Sequence, residues 1–272
     1  MLEILKAILF GIIEGVTEWL PISSTGHLIL IEKFVHLDES AAFSEMFRVV
    51  IQFGAILAVL VLYFHKLNPF SPRKSPGQKR DTLSLWGKVI VSLLPLIPLV
   101  PFNDKIDEVF YNYQTVSIML IVYGVLFLLV ENRNKHRVPS VDRIADISYR
   151  DALIIGLFQA LAVIPGTSRS GATILGAILI GLSRETAAEF TFFLAIPTMF
   201  GASVVKMVKF GFAFSPMELA VLLTAAAAAF FVSVLAIRFL VGYVKKHDFK
   251  PFGYYRIVLG AIVLAYFLAA RH

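Results

Sequence analysis

The chain has 272 residues, 58% hydrophobic and 16% charged, with a formal net charge of +6 and no cysteine. Soluble domains carry about 25% charged residues, so this composition excludes an ordinary soluble domain and indicates a polytopic membrane protein, with room for roughly six to eight segments of ~20 residues. The missing cysteine excludes disulfides, thiolate metal ligands and a Cys nucleophile, and the basic excess belongs in cytoplasmic loops rather than against nucleic acid.

The first apolar segment, 2–31, begins at once and has no basic leader or small-residue cleavage site, so it does not read as a secretory signal. It contains EGVTEWLPISSTGH, Glu14 to His27. Glu14 and Glu18 are four apart and share a helix face. Two carboxylates that close in low dielectric must share a proton or meet a cation. They read as a divalent-metal pair, or as one ligand and one base; the structural alternative is a pair satisfied by hydroxyls or an arginine. Ser23, Ser24 and Thr25 follow Pro21 and precede Gly26 and His27. Capping of a new helix accounts for one of these hydroxyls and leaves the others for chemistry. His27 lies one turn beyond Ser24, so the pair reads as a hydroxyl nucleophile with an adjacent base, or His27 instead protonates the leaving group or binds a phosphoryl oxygen.

Ordinary spans are expected at 45–64, 83–101 and 113–131. Arg48 and Gln52, at the start of the first, are weaker site candidates. The loops at 65–88 and 132–150 are basic and read as cytoplasmic, whereas 32–45 and the link carrying Asp104, Asp107 and Glu108 are acidic and read as external.

The segment 151–180 resembles the first in being broken by Pro, Gly and Ser, here in PGTSRSGAT, Pro165 to Thr173. Arg169 offers a planar five-donor fork suited to phosphate, and newly exposed N–H groups at a helix start favour an anion. In the absence of a ligand, Arg169 is expected to pair with Glu14, Glu18 or Glu189. The phosphate contacts expected around it come from Ser23, Thr25, Gly26, Ser168, Ser170 and Thr173. Spans at 187–208, 217–241 and 252–270 complete the chain, with Pro197 bending one of them.

Irregular backbone at membrane depth persists only where protein or a water-filled cavity satisfies it. The two broken segments therefore read as re-entrant hairpins. The expected fold is all-α: six transmembrane helices plus two hairpins, both termini outside, in one membrane domain spanning 1–272. Gly11 and Gly156, Glu14 and Gln159, Ser23 and Ser168, and Gly26 and Gly171 are each 145 apart, and Glu45 and Glu189 are 144 apart. Three spans follow each hairpin, so the halves 1–131 and 151–270 read as inverted-topology repeats with a site where the broken helices meet. Such architecture also suits a transporter, here of a polyprenyl phosphate. The Ser/His/Glu cluster is richer than anion binding needs and favours an enzyme. No Walker loop or dinucleotide fingerprint appears.

The two motifs, in this order and spacing, together with EFTFFLAIP from Glu189 to Pro197, resemble the bacterial undecaprenyl-pyrophosphate phosphatases of the BacA/UppP type over the whole length. The resemblance implies an integral enzyme of the bacterial cytoplasmic (inner) membrane that hydrolyses the C55 polyprenyl pyrophosphate carrier to its monophosphate. That reaction recycles the lipid for peptidoglycan and cell wall synthesis, with bacitracin resistance as a consequence. It further implies a divalent cation, Mg²⁺ or Ca²⁺, and a site opening to the outer face. Glu14 and Glu18 match the motif's acidic pair, Ser24 the proposed nucleophile, His27 its nearby histidine and Arg169 the phosphate-binding arginine. The expected partners are the lipid substrate and membrane lipids, with a homodimer left open and no nucleic acid.

Overall fold

The computed structural model describes residues 1–269 and is helical throughout, with no β-sheet among them beyond one isolated bridge between Val141 and Leu182. Residue 270, the last of the expected span 252–270, lies outside the described residues. Six of its helical stretches are long and apolar enough to cross a membrane.

The first segment is a helix-break-helix unit. Helix α1 (Leu2–Thr17) is followed by a turn through Pro21, and α2 (Ser24–Ile31) begins under a cap from the Ser23 hydroxyl, which accepts from the Gly26 N–H. The first span is divided at Ile51 into α3 (Ala41–Val50) and α4 (Gln52–Leu62), and starts at Ala41 because Ser40 caps it there. A single turn, α5 (Phe64–Leu67), leads into the basic loop. Helix α6 (Pro76–Leu93) opens on a capping box between Ser75 and Gln78.

The expected span 83–101 departs from one continuous α-helix. After Leu93 the chain tightens into a 3₁₀ helix over Leu94–Phe102, then resumes as α7 (Asn103–Phe110). Pro95, Pro98 and Pro101 recur every third residue. Each removes a backbone donor that an α-helix would use, and a three-residue repeat matches the 3₁₀ period. Lys88, the last residue of the expected basic loop 65–88, is instead buried within α6 and donates to the Ala145 carbonyl at 2.8 Å.

Helix α8 (Tyr113–Asn134) precedes the second broken unit, α9 (Tyr149–Leu161) and α10 (Arg169–Leu179). Helices α11 (Arg184–Phe210), α12 (Pro216–Val244) and α13 (Lys250–Ala269) follow. Pro197 sits inside α11, and next to it the Thr198 hydroxyl donates to the Leu194 carbonyl at 2.8 Å.

The packing crosses between halves. Helix α1 lies along α12, and α9 lies along α6 and its 3₁₀ extension. Both contacts are close because glycine permits them: a Cβ on Gly11 would run into the Ala225 carbonyl of α12, and one on Gly156 into the Ser92 carbonyl of α6. Helices α8 and α13 pack together, as do α11 and the α3/α4 span. An ion pair ties the last two, Glu45 of α3 to Lys206 of α11, and a second joins Glu189 of α11 to Lys66 of α5 at 2.6 Å. At one end of α8, buried Glu131 accepts from Arg184 of α11 and from the Phe249 N–H at 2.9 Å, gathering three spans onto one carboxylate.

Candidate active site

The two breaks meet in the interior. Each leads into a helix through a serine with positive φ, Ser23 at 71° and Ser168 at 70°, and these are the only non-glycine residues of that kind among those described. Holding such a residue in a left-handed conformation costs on the order of 1–3 kcal/mol. Each serine offsets part of that cost with its side chain, since Ser23 Oγ accepts from Gly26 and Ser168 Oγ accepts from Gly171 at 3.1 Å. Helices α2 and α10 therefore open in the same way, each presenting first-turn N–H groups that lack intrahelical partners.

Glu18 is where the halves join. Ser24 Oγ donates to its Oε2 at 3.0 Å, and Arg169 Nη2 donates to its Oε1 at 2.9 Å. Ser170 Oγ donates to the Glu18 backbone carbonyl at 3.0 Å, so the second break also fixes the main chain of the first. Arg169 Nη1 donates to the Thr191 carbonyl at 2.9 Å, and the guanidinium lies over the Trp19 ring. That cation–π contact and the carbonyl anchor the fork independently of Glu18. The pairing of Arg169 with a motif-one glutamate was one of the expectations from sequence.

Glu14 is fully buried, and neither of its carboxylate oxygens meets a donor among the described residues; the side chain it faces is the carboxylate of Glu18. A buried carboxylate in that condition needs a proton or a cation. No group of three or more His, Cys, Asp or Glu side chains comes together among those residues. A cation here would therefore take Glu14 and Glu18 from the protein and complete its shell with phosphate oxygens and water, as Mg²⁺ commonly does. The residues present fit such an ion.

His27 is turned away from Ser24. Its Nδ1 lies 2.7 Å from the Ser23 carbonyl oxygen and its Nε2 2.7 Å from the Tyr255 hydroxyl, with the Tyr255 ring stacked on it. A carbonyl only accepts, so Nδ1 carries the proton and Nε2 of the neutral ring accepts from Tyr255. One helical turn brings residue 27 over Ser23 rather than Ser24, which is why the side chain next to the Ser24 hydroxyl is Glu18. Thr173 is also displaced from the expected phosphate contacts: it is fully buried, its hydroxyl donates to the Arg169 carbonyl at 2.9 Å, and it accepts from Thr191 at 2.9 Å. Ser23, Gly26 and Ser168 contribute chiefly through their caps, and Thr25 stands half-buried beside Ser24. Glu189 and Arg48 are committed elsewhere, to Lys66 and to Glu32 respectively.

Arg256 of α13 was not singled out from sequence. It is fully buried, and its guanidinium donates to Pro21 O at 3.1 Å in the first break and to Gly166 O at 2.9 Å and Thr167 O at 2.8 Å in the second. The available signal was a lone arginine within the expected span 252–270, since an ionisable residue at membrane depth is a functional candidate by default.

A sequence profile described as bacitracin resistance protein BacA matches residues 7–262. The chain is 63% identical over 272 residues to an undecaprenyl-diphosphatase of Acetivibrio thermocellus, covering 100% of both chains. It is 58% identical over 270 residues to an undecaprenyl-diphosphatase of Lachnoclostridium phytofermentans, covering 99% of each. With an undecaprenyl-diphosphatase of Enterococcus faecalis it shares 59% identity over 267 residues, 97% of each chain.

Proposed function

The chain belongs to the BacA family, and from that premise we infer that it is an undecaprenyl-diphosphatase of the bacterial cytoplasmic (inner) membrane. It hydrolyses undecaprenyl diphosphate to undecaprenyl phosphate and phosphate, which returns the lipid carrier to peptidoglycan synthesis and has bacitracin resistance as a consequence. The observation that carries a phosphoryl-transfer reading is the junction at Glu18: a hydroxyl from one break and a guanidinium from the other converge on a single carboxylate.

In this reading Ser24 is the nucleophile and Glu18 its base. The Ser24 proton passes to Glu18 Oε2 as Oγ attacks the terminal phosphorus. The bond to the bridging oxygen breaks, and undecaprenyl phosphate leaves with the electron pair. Water then attacks the phosphoserine, Ser24 Oγ recovers its proton, and phosphate is released. Arg169 exchanges Glu18 for the terminal phosphoryl group and stabilises its equatorial oxygens, with donors from Thr25 and the first-turn N–H groups of α2 and α10, while Ser170, whose hydroxyl proton is held by the Glu18 carbonyl, keeps the two breaks together. His27, fixed by Tyr255, steadies the first turn of α2. Glu14 and Glu18 would hold the divalent cation, which when bound neutralises charge that two carboxylates and a diphosphate otherwise bring together.

The two broken units read as re-entrant hairpins, within inverted repeats over 1–131 and 151–270. Support comes from matched features: Ser23 with Ser168, Gly11 on α12 with Gly156 on α6, and the reciprocal pairs of Glu45 and Glu189. In that topology the basic loops are cytoplasmic and the site opens to the outer face, where the diphosphate arrives with its tail in lipid.

Hydrolysis is separated from lipid transport by reconstituting the protein into vesicles containing undecaprenyl diphosphate. The proposal expects diphosphate to be lost and phosphate to appear. Movement of intact diphosphate lipid between leaflets with no phosphate released would overturn it in favour of a transporter.

A further inference from the structure

Arg256 has no carboxylate partner among the described residues, yet it is completely buried. Every donor it uses goes to a backbone carbonyl of a break: Pro21, Gly166 and Thr167, with Met119 O of α8 at the limit of range, 3.5 Å. The Tyr123 ring lies under its guanidinium. Burying an arginine without a counter-ion is expensive, and the cost is met by carbonyl dipoles in only one place, where the two halves touch. Pro21 is three residues before Ser24, and Thr167 is two before Arg169. One rigid fork thus spans the approach to the attacking hydroxyl and the approach to the phosphate-binding arginine.

We propose that Arg256 is a positioning residue for the phosphatase reaction: it sets the first break against the second, and so fixes Ser24 relative to Arg169. The planar fork is what the role requires, because it reaches carbonyls of both breaks at once, whereas an ammonium is a point charge on a flexible stem. A small displacement of reacting groups caused from outside the chemistry can lower rate by on the order of 100-fold. The inference rests on the phosphatase reading above.

The test compares wild type, Arg256→Lys and Gly171→Ala for kcat, KM and thermal unfolding in detergent, with undecaprenyl diphosphate as substrate. Gly171→Ala keeps the arginine and crowds it, since a Cβ there would lie 3.0 Å from Arg256 Nη1, although it would also lie 3.2 Å from Cβ of the capping Ser168. The expected result for Arg256→Lys is folded protein with kcat reduced by at least about 10-fold and KM changed by less than about 3-fold. Gly171→Ala should lower kcat in the same direction by a smaller factor. If Arg256→Lys does not fold, Arg256→Gln, which keeps an N–H donor pair and leaves the Ser168 cap untouched, is read in its place. Normal kcat with only a lower unfolding temperature would make Arg256 a structural staple and overturn the proposal. A rise in KM with kcat intact would also overturn it, by making Arg256 a substrate contact. Inactive wild type would instead sink the phosphatase reading itself, so the two failures are distinct.

Discussion

Glu18 accepts from Ser24 and from Arg169, and each donor comes from a different break. In the proposed mechanism the carboxylate releases the guanidinium to the incoming phosphoryl group and keeps the hydroxyl, acting as base. Arg169→Ala should lower turnover at least about 100-fold, equivalent to about 2.7 kcal/mol of transition-state stabilisation. The folded state should persist, because Glu18 keeps the Ser24 hydroxyl as a donor when the guanidinium is removed. Near-normal phosphate release by monodisperse Arg169→Ala protein contradicts the assignment. Glu14→Gln provides a different readout. Replacing an unpartnered buried carboxylate with an amide removes a cation ligand but keeps the volume, so the metal concentration giving half-maximal activity should rise by about 10-fold or more. An unchanged metal dependence would take Glu14 out of the cation site.

At the scale of elements, the broken units owe their shape to small residues at defined places. Ser23 and Ser168 turn the chain and cap the helix that follows, and Gly11 and Gly156 let α1 and α9 approach the carbonyls of α12 and α6. Gly156→Leu should destabilise the fold by on the order of 1–3 kcal/mol, seen as a lower unfolding temperature, because the new side chain meets main chain that cannot yield. A variant as stable as wild type would show that α9 does not need that close approach. The breaks were legible in the sequence because proline, glycine and serine have no ordinary role in the middle of an apolar run. The boundaries of most spans were legible from hydropathy in the same way. The 3₁₀ stretch over Leu94–Phe102 was not, since its residues are as apolar as a normal span and only the proline spacing distinguishes them.

Across the whole molecule, the parts of the candidate site carried by recognisable motifs were legible, and the contacts made by single residues on distant helices were not. Glu18, Ser24 and Arg169 lie in the two motifs, while Tyr255 and Arg256 reach the first break from 228 and 235 residues away. His27 was placed beside Ser24 by its spacing, but the competing partner Tyr255 lies on a helix whose packing spacing cannot reveal. The topology makes a prediction of its own. The chain has no cysteine, so single cysteines report cleanly. Ala213→Cys should react with a membrane-impermeant maleimide in intact cells, and Arg137→Cys only after permeabilisation. If both broken units crossed the membrane fully, these two positions would share one side and label alike. The central claim is that the two breaks form one phosphoryl-transfer site, and phosphate release from undecaprenyl diphosphate by purified protein tests it most directly. Wild type, Glu18→Ala and Arg169→Ala are compared with and without Mg²⁺ or Ca²⁺. Metal-dependent release that is lost in both variants is the predicted result. Release that survives in either folded variant, or none from folded wild type with metal present, would contradict it.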